Sequence, residues 1–318
     1  MKVNVLILFG PTASGKTELL NNLSASGSVP VEVISADSMQ VYRGMDIGTA
    51  KPSPEEMAKI PHHLIDIRNP DEKFNAGDFV RLAEDACFAA AERGALPVVS
   101  GGTGFYLKNL VSGLSEAPPS DDIIRSALKE ELAERGAQSL MEELAKADPV
   151  SAGRIHVNDI YRLTRALEVF RISGRPLSSY ASPWNAVPGG AAQRPFNFKL
   201  VGLQREREEL YRRINERTAA MFRTGLPDEV KRLYDAGYTP SDPGLRAIGY
   251  REFFDRNPGE GGGWRLLDDL AGIEVLIAMN SRRYAKRQIT FFGSLPGVKW
   301  ISPGKDALKE LRLSLLTF

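Results

Sequence analysis

Gly10-Pro11-Thr12-Ala13-Ser14-Gly15-Lys16-Thr17 is the stretch of this sequence whose residue types and spacing most clearly do chemistry. Two glycines with four residues between them let the backbone curl until successive N–H groups point inward, toward an anion. Lys16 adds a mobile positive charge, and the Thr17 hydroxyl suits a metal-bound oxygen. The run before it, Val3 to Phe9, reads as a buried strand, and Glu18 to Leu23 reads as the start of a helix. Strand, GxxxxGK[ST] and helix in that order predict a phosphate-binding loop, with the helix N-terminus favouring negative charge. All eight residues, Gly10 to Thr17, are therefore candidate phosphate ligands, and Thr17 is the candidate metal ligand.

Two further groups belong at the same place. Val31 to Ala36 reads as a second strand ending at Asp37, and Leu96 to Ser100 as a third ending in Gly101-Gly102-Thr103-Gly104. In open α/β sheets the residues just past the strand C-termini line the ligand crevice. Asp37 and Thr103 are thus expected beside the bound anion. Three glycines around one threonine point to a close backbone approach there. The long irregular segment Ser38 to Pro52 mixes aromatic, basic and hydroxyl groups, which favours a functional loop. Other candidates read blandly. Adjacent His62 and His63 on a strand face opposite ways, a poor metal pair. Cys87 lies in an amphipathic stretch as a small core residue, and with one cysteine no disulfide forms within the chain.

Stepping outward, 318 residues suit two domains or one large domain with an insertion. Apolar strands alternating with helical patterns predict an α/β class with a parallel sheet. Pro118-Pro119-Ser120 opens a helical stretch with caps at Asp121-Asp122 and Asn158-Asp159, and a Pro/Gly/Ala-rich return linker covers 181–195. The expected organisation is a core over 1–117, an all-helical insertion over 118–195, and the rest of the core over 196–318, opening with a strand at Phe196 to Leu203. Helices are expected over Arg205 to Thr224 and Asp228 to Ala236, a flexible loop at Glu260 to Gly263, and one long helix over most of Trp264 to Phe292. That helix carries a basic face of Arg282, Arg283, Lys286 and Arg287. No apolar run is long enough to span a membrane, and a cytoplasmic protein is expected. Net charge is +1, but residues 1–150 hold 14 basic against 22 acidic side chains and residues 151–318 hold 27 against 18. That asymmetry allows a polyanionic partner for the second half.

Three functions use such a loop: transfer of a group from a phosphorylated donor, a small-molecule kinase with Asp37 as base, or a nucleotide-gated RNA-binding protein. No strand end resembles a Walker B strand, four apolar residues ending in a magnesium-holding aspartate, which argues against a hydrolysing machine. Taken together, Gly10–Thr17, Asp37-Ser38-Met39-Gln40-Val41-Tyr42, Asp46 through Pro52, His62-His63-Leu64-Ile65-Asp66, Gly101–Tyr106, Ile155 through Asp159 with Arg162 through Glu168, Gly249-Tyr250-Arg251-Glu252 and Ala285-Lys286-Arg287-Gln288 resemble the bacterial tRNA dimethylallyltransferase family. The blocks lie in that family's order across essentially the whole chain.

The resemblance implies a fold similar to P-loop kinases. It implies transfer of a dimethylallyl group from dimethylallyl diphosphate, with Mg²⁺, to N6 of the adenosine 3′-adjacent to the anticodon in tRNAs reading codons that start with U. The loop then holds a leaving group. Asp37 would be the general base and Thr103 would orient the amine. The adenine must leave its stack to arrive there. By the same resemblance the tRNA contacts would be Asp37, Ser38, Met39, Gln40, Thr103, Arg125, Tyr161, Arg162, Leu163, Thr164, Arg165 and the segment Ala247, Ile248, Gly249, Tyr250, Arg251, Glu252. Arg217 is a candidate diphosphate ligand, against the alternative of a solvated helix arginine. A monomer is expected. The chain departs from the family at Thr290-Phe291-Phe292-Gly293, where Gly293 stands in place of a basic residue.

Overall fold

The computed structural model describes residues 2–27, 29–180, 194–256, 263–316 and 318. The chain divides into two compact units, residues 1–111 with 194–318, and residues 112–193.

The first unit is built on a six-stranded parallel sheet. Strands β1 (Val3–Phe9), β2 (Val31–Ser35), β3 (His62–His63), β4 (Leu96–Gly101), β5 (Phe196–Leu203) and β8 (Lys299–Ile301) lie in the order β3-β2-β4-β1-β5-β8. Val5 to Phe9 are buried without alternation, as a parallel strand covered on both faces requires. Helices α1 (Lys16–Ala25), α2 (Pro54–Lys59), α3 (Ala76–Glu92) and α4 (Gly104–Ser112) belong to its first segment, and α8 (Arg207–Arg223), α9 (Leu226–Asp235), α10 (Leu270–Gly293) and α11 (Ala307–Leu315) to its second. Register sets the site. Phe9 pairs with Gly101, and Ser35 pairs with Ser100. The ends of β1, β4 and β2 therefore lie side by side, with the end of β4 in the middle.

Glycine at the end of β4 is a packing requirement. A Cβ on Gly101 would fall onto the backbone carbonyl of Ala36. One on Gly102 would meet the Gln288 amide, and one on Gly104 the Phe291 ring. The close approach expected there is thus to the protein's own chain.

The second unit is helical. Helix α5 (Asp122–Ala147) breaks at Gly136 (φ 77°, ψ 165°), a backbone conformation that a residue without a Cβ tolerates. Helices α6 (Pro149–Ala152) and α7 (Ile160–Ser173) follow. Its core is Leu128, Leu140, Leu144, Leu163, Ala166 and Leu167. The buried Asp148 carboxylate ties two segments by accepting bonds from the backbone N–H and hydroxyl of both Ser151 and Ser178.

Two expectations change. The strand begun at His62 ends at His63, because Leu64 and Asp66 take positive φ. Trp264–Leu266 is a strand (β7) paired antiparallel to β6 (Phe254–Arg256), and the long helix starts only at Leu270, where Asp269 caps it through the Gly272 N–H. Strand β8 and helix α11, both close to the C-terminus, were not expected from pattern. The return linker at 181–195 and the loop at 260–263 lie, save for Arg194, Pro195 and Gly263, outside the described residues.

Gly101→Ala should cost about 2 kcal/mol or more, since overpacking here meets backbone that cannot rotate away. The measurement is the urea midpoint at unchanged m-value; a midpoint equal to that of the parent protein would refute the clash.

Candidate active site

The loop after β1 is shaped by two left-handed residues, Ala13 (φ 62°) and Gly15 (φ 102°). Gly15 caps α1 and supplies no side chain, so no side-chain bond occupies the first amides of that helix. They are oriented for an anion. Lys16 Nζ donates to the carbonyl oxygens of Gly10 at 2.9 Å and Pro11 at 3.1 Å. The loop is held from outside by two arginines: Arg205 donates to Ser14 O at 2.9 Å and Arg213 to Ala13 O at 3.1 Å. Arg217, one turn beyond Arg213 on α8, turns into the same space and donates to Thr49 O at 3.4 Å.

Burial pushes the Lys16 ammonium down to about 8; the nearby Arg217 cation adds to that, and the Asp37 carboxylate opposes it. Arg217 is likewise lowered by burial and raised by Asp37. Two cations and one carboxylate thus share one poorly hydrated space, with net positive charge. Arg217 is not a solvated helix arginine.

Asp37 Oδ1 accepts the backbone N–H of Met39 at 2.9 Å and of Gln40 at 3.4 Å. This turn aims the side chain and leaves Oδ2 out of both bonds. Thr103 Oγ1 accepts the Ser38 N–H at 3.0 Å and contacts Ser38 Oγ at 3.3 Å. The Thr103 N–H donates to Ala36 O at 3.1 Å. Tyr284 of α10 lies within hydrogen-bonding reach of Thr103, and burial together with the Asp37 charge pushes its phenol up to about 12. It stays protonated and acts as a neutral polar wall.

Lys16, Asp37, Ser38, Arg213, Arg217 and Tyr284 line a cleft of about 1060 Å³ in the first unit. One wall is the loop after β2. The buried Glu229 carboxylate fixes it by accepting the N–H groups of Asp46 (3.0 Å), Ile47 (2.8 Å) and Gly48 (3.2 Å) and the Tyr250 hydroxyl (2.6 Å). Gln40 Nε2 donates to Thr49 O and Ala50 O, and its Oε1 accepts from the Ser35 hydroxyl. The buried Lys51 ammonium holds Asp46, Asp66 and the Tyr42 carbonyl. His62 and His63 are both partnered, with Ile60 O and Glu32. Cys87 is buried, and burial pushes its thiol up to about 12, which leaves it inert.

Residues 40–294 match the sequence model of the family described as "IPP transferase". A tRNA dimethylallyltransferase of Geobacter sulfurreducens is 45% identical over 301 residues, 94% of this chain and 92% of the relative. One of Geobacillus kaustophilus is 44% identical over 94% of this chain and 90% of its own. The chain belongs to the IPP transferase family. Among solved structures, the full-length tRNA isopentenylpyrophosphate transferase of Bacillus halodurans superposes with a TM-score of 0.67 at 36% identity, covering 99% of this chain and 96% of that one. A eukaryotic dimethylallyltransferase, 24% identical with a TM-score of 0.75 over 98% of this chain and 77% of its own, shares the fold.

This IPP transferase brings Thr12–Thr17, Asp37 and Arg217 to one cleft with Ser38, Met39 and Gln40, leaves Gly10 and Pro11 buried behind the loop, and sets Thr103 against Ser38. Several expected RNA contacts are corrected by burial. Leu163 is core in the helical unit. Tyr250 and Glu252 are buried; Tyr250 serves Glu229, and Glu252 accepts the Gly249 N–H and the Asn280 amide. From that segment Ala247, Ile248 and Gly249 line the cleft and Arg251 is exposed. In the helical unit Arg125, Arg162 and Tyr161 (68%) are exposed. Arg165 is committed to Glu168 and the Pro118 carbonyl, and the Thr164 hydroxyl to Ile160 O.

Tyr284, Gln288, Glu229, Arg205 and Arg213 were not singled out in sequence as parts of the site. Tyr284 and Gln288 are four apart on α10, as Arg213 and Arg217 are on α8, so the signal was polar residues at helical spacing on a face that is otherwise buried. The exposed basic residues of α10 masked it.

Lys16 yields a pH prediction. A bound diphosphate favours the charged ammonium and raises its lowered pKa, so the complex holds the proton better than the free protein. Affinity for inorganic diphosphate should be lost as pH rises through about 8, and calorimetry in two buffers should show proton uptake near that pH. Lys16→Arg should abolish that component; an identical pH profile in the variant would assign the titration to another group.

Proposed function

We propose that this chain transfers a dimethylallyl group from dimethylallyl diphosphate to N6 of the adenosine 3′-adjacent to the anticodon, in tRNAs that read codons starting with U, and releases diphosphate. The observation that carries the reading is the meeting of Lys16, Arg217 and Asp37 at one end of the cleft, with Thr103 fixed at the strand end between them. The cations face an anion on the loop. The carboxylate and hydroxyl face a second reactant.

The allylic C–O bond breaks as negative charge gathers on the diphosphate. Loop amides, Lys16 and Arg217 stabilise that charge in place. N6 forms the new C–N bond. Its surplus proton passes to Asp37 Oδ2, the oxygen outside the local turn. Thr103, set by Ser38 and Ala36, hydrogen-bonds the amine and orients it. The balance is one N–H and one C–O bond broken, one C–N bond formed, and one proton taken by the carboxylate.

Mg²⁺ fits this site through the exposed Thr17 hydroxyl. Among the described residues no group of three His, Cys, Asp or Glu forms a cage, and Mg²⁺ ordinarily binds by one or two protein oxygens, water and substrate phosphates. Bound there, it would offset leaving-group charge. Among the described residues no helix is long and apolar enough to cross a membrane, and we place the protein in the cytoplasm, as a monomer, with its tRNA substrate. Arg125, Tyr161 and Arg162 are the exposed side chains of the helical unit that suit an anticodon stem-loop, as two charges for phosphates and one ring for a splayed base.

Incubation with dimethylallyl diphosphate, Mg²⁺ and an anticodon stem-loop carrying consecutive adenosines should add one dimethylallyl mass to the RNA. No mass gain with the parent protein would sink the reading, and ATP turnover on a small alcohol would favour a kinase. Asp37→Ala should abolish transfer while inorganic diphosphate binds within about threefold of the parent; loss of both together would make Asp37 a structural group. Arg162→Ala should weaken stem-loop binding and reduce its salt slope by about one. An unchanged slope would remove it from the interface.

A further inference from the structure

The β1–β4 pairing ends at Phe9 and Gly101. Beyond that pair the two chains become the phosphate loop and the Thr103 turn, and their backbones no longer bond to each other as strands. Gln288 of α10 bridges the gap. Its Oε1 accepts the Thr12 N–H at 3.0 Å, and its Nε2 donates to Gly102 O at 2.9 Å. It is 95% buried. One limb needs an acceptor and the other a donor, and a primary amide presents one of each. Glutamate has no donor, and asparagine is one methylene short.

The neighbouring contacts make the bridge specific. The Gln288 amide lies where a Cβ on Gly102 would be, and the Phe291 ring lies where a Cβ on Gly104 would be. Thr103 sits between those two points of close approach. Its backbone is tied to Ala36 and its hydroxyl to Ser38, the two residues that flank Asp37. A continuous set of bonds therefore runs from Thr12, through Gln288, Gly102 and Thr103, to the turn that aims Asp37.

We propose that Gln288 is a positioning residue. It sets the separation between the loop that holds the leaving group and the Asp37–Thr103 edge that holds the nucleophile, and so sets the approach of the reacting atoms. It touches neither reacting atom. This inference rests on the proposed transfer reaction. Removing the bridge leaves both binding surfaces in place and loosens the distance between them, so the loss should appear in kcat. A misplacement of about 1 Å costs on the order of a hundredfold.

The test compares the full chain with Gln288→Leu, which keeps bulk and lacks both bonds, and Gln288→Glu, which keeps only the acceptor. Active sites are counted by inorganic diphosphate binding stoichiometry, so a folding defect lowers the count and leaves the per-site rate unchanged. The expected result is a per-site kcat lower by at least about tenfold in both variants. Dissociation constants for inorganic diphosphate and for the stem-loop should each stay within about threefold of the parent. A per-site kcat within about threefold of the parent would overturn the proposal, as would a loss of diphosphate affinity equal to the loss of rate. If the parent protein transfers nothing, the proposed function fails, and the bridge is judged by binding alone. Saturating diphosphate should then shift stem-loop affinity by about threefold or more in the parent and by less in Gln288→Leu. An equal shift in both would overturn it.

Discussion

Folding forces Lys16 and Arg217 into one poorly hydrated space, and the site depends on that enforced repulsion. Arg217 lowers the affinity of Lys16 for its proton, and burial works against both cations. Asp37 offsets part of the cost, as a single negative charge facing two positive ones. A polyanion arriving on the loop relieves the remainder. The site is therefore prepared for the proposed diphosphate by electrostatics set before binding, and little reorganisation is left for the proposed reaction.

Such a site needs stiff walls, since flexible cations would separate. Stiffness comes from buried polar groups that each hold several backbone atoms. Glu229 gathers three amides and a phenol. Lys51 gathers two carboxylates and a carbonyl. Gln40 holds Thr49 and Ala50, and Thr49 O also receives Arg217. The irregular segment after β2 is thus an ordered wall whose position is dictated by α9, about 180 residues later in the chain. Losing one partner from such a network leaves a buried polar group unpaired, which is why these groups act together.

The difference between the residues expected to contact RNA and those the structure leaves exposed has one physical cause. A family resemblance transfers segments, whereas contact requires exposure. Tyr250, Glu252 and Leu163 lie in transferred segments, yet their side chains serve the interior. Tyr250 and Glu252 supply hydrogen bonds to buried partners, and Leu163 fills the helical core. Arg162 and Arg165 illustrate the same point on one helix. They sit three apart, and one is exposed while the other is paired with Glu168 and a carbonyl.

Sequence by itself determined the parts of this protein whose physics is local. The phosphate loop follows from two glycines and a lysine at fixed spacing. The parallel strands follow from continuous apolar runs, and the helix break at Gly136 from a residue tolerant of positive φ. The common edge for Asp37 and Thr103 follows from parallel strand direction. Tertiary structure decided whatever depends on residues far apart in the chain. Arg217 became a partner of Lys16 because α8 crosses the loop. Gln288 became a bridge because α10 lies flush on two glycines at the end of β4. Strand β7 formed within what reads as helix because β6 pairs with it and Asp269 caps the helix late. Strand β8 is three residues long, too short to show a period, and exists because β5 offered an open edge. Helical spacing shows which residues share a face, and only the packing of that face against the sheet reveals what it touches.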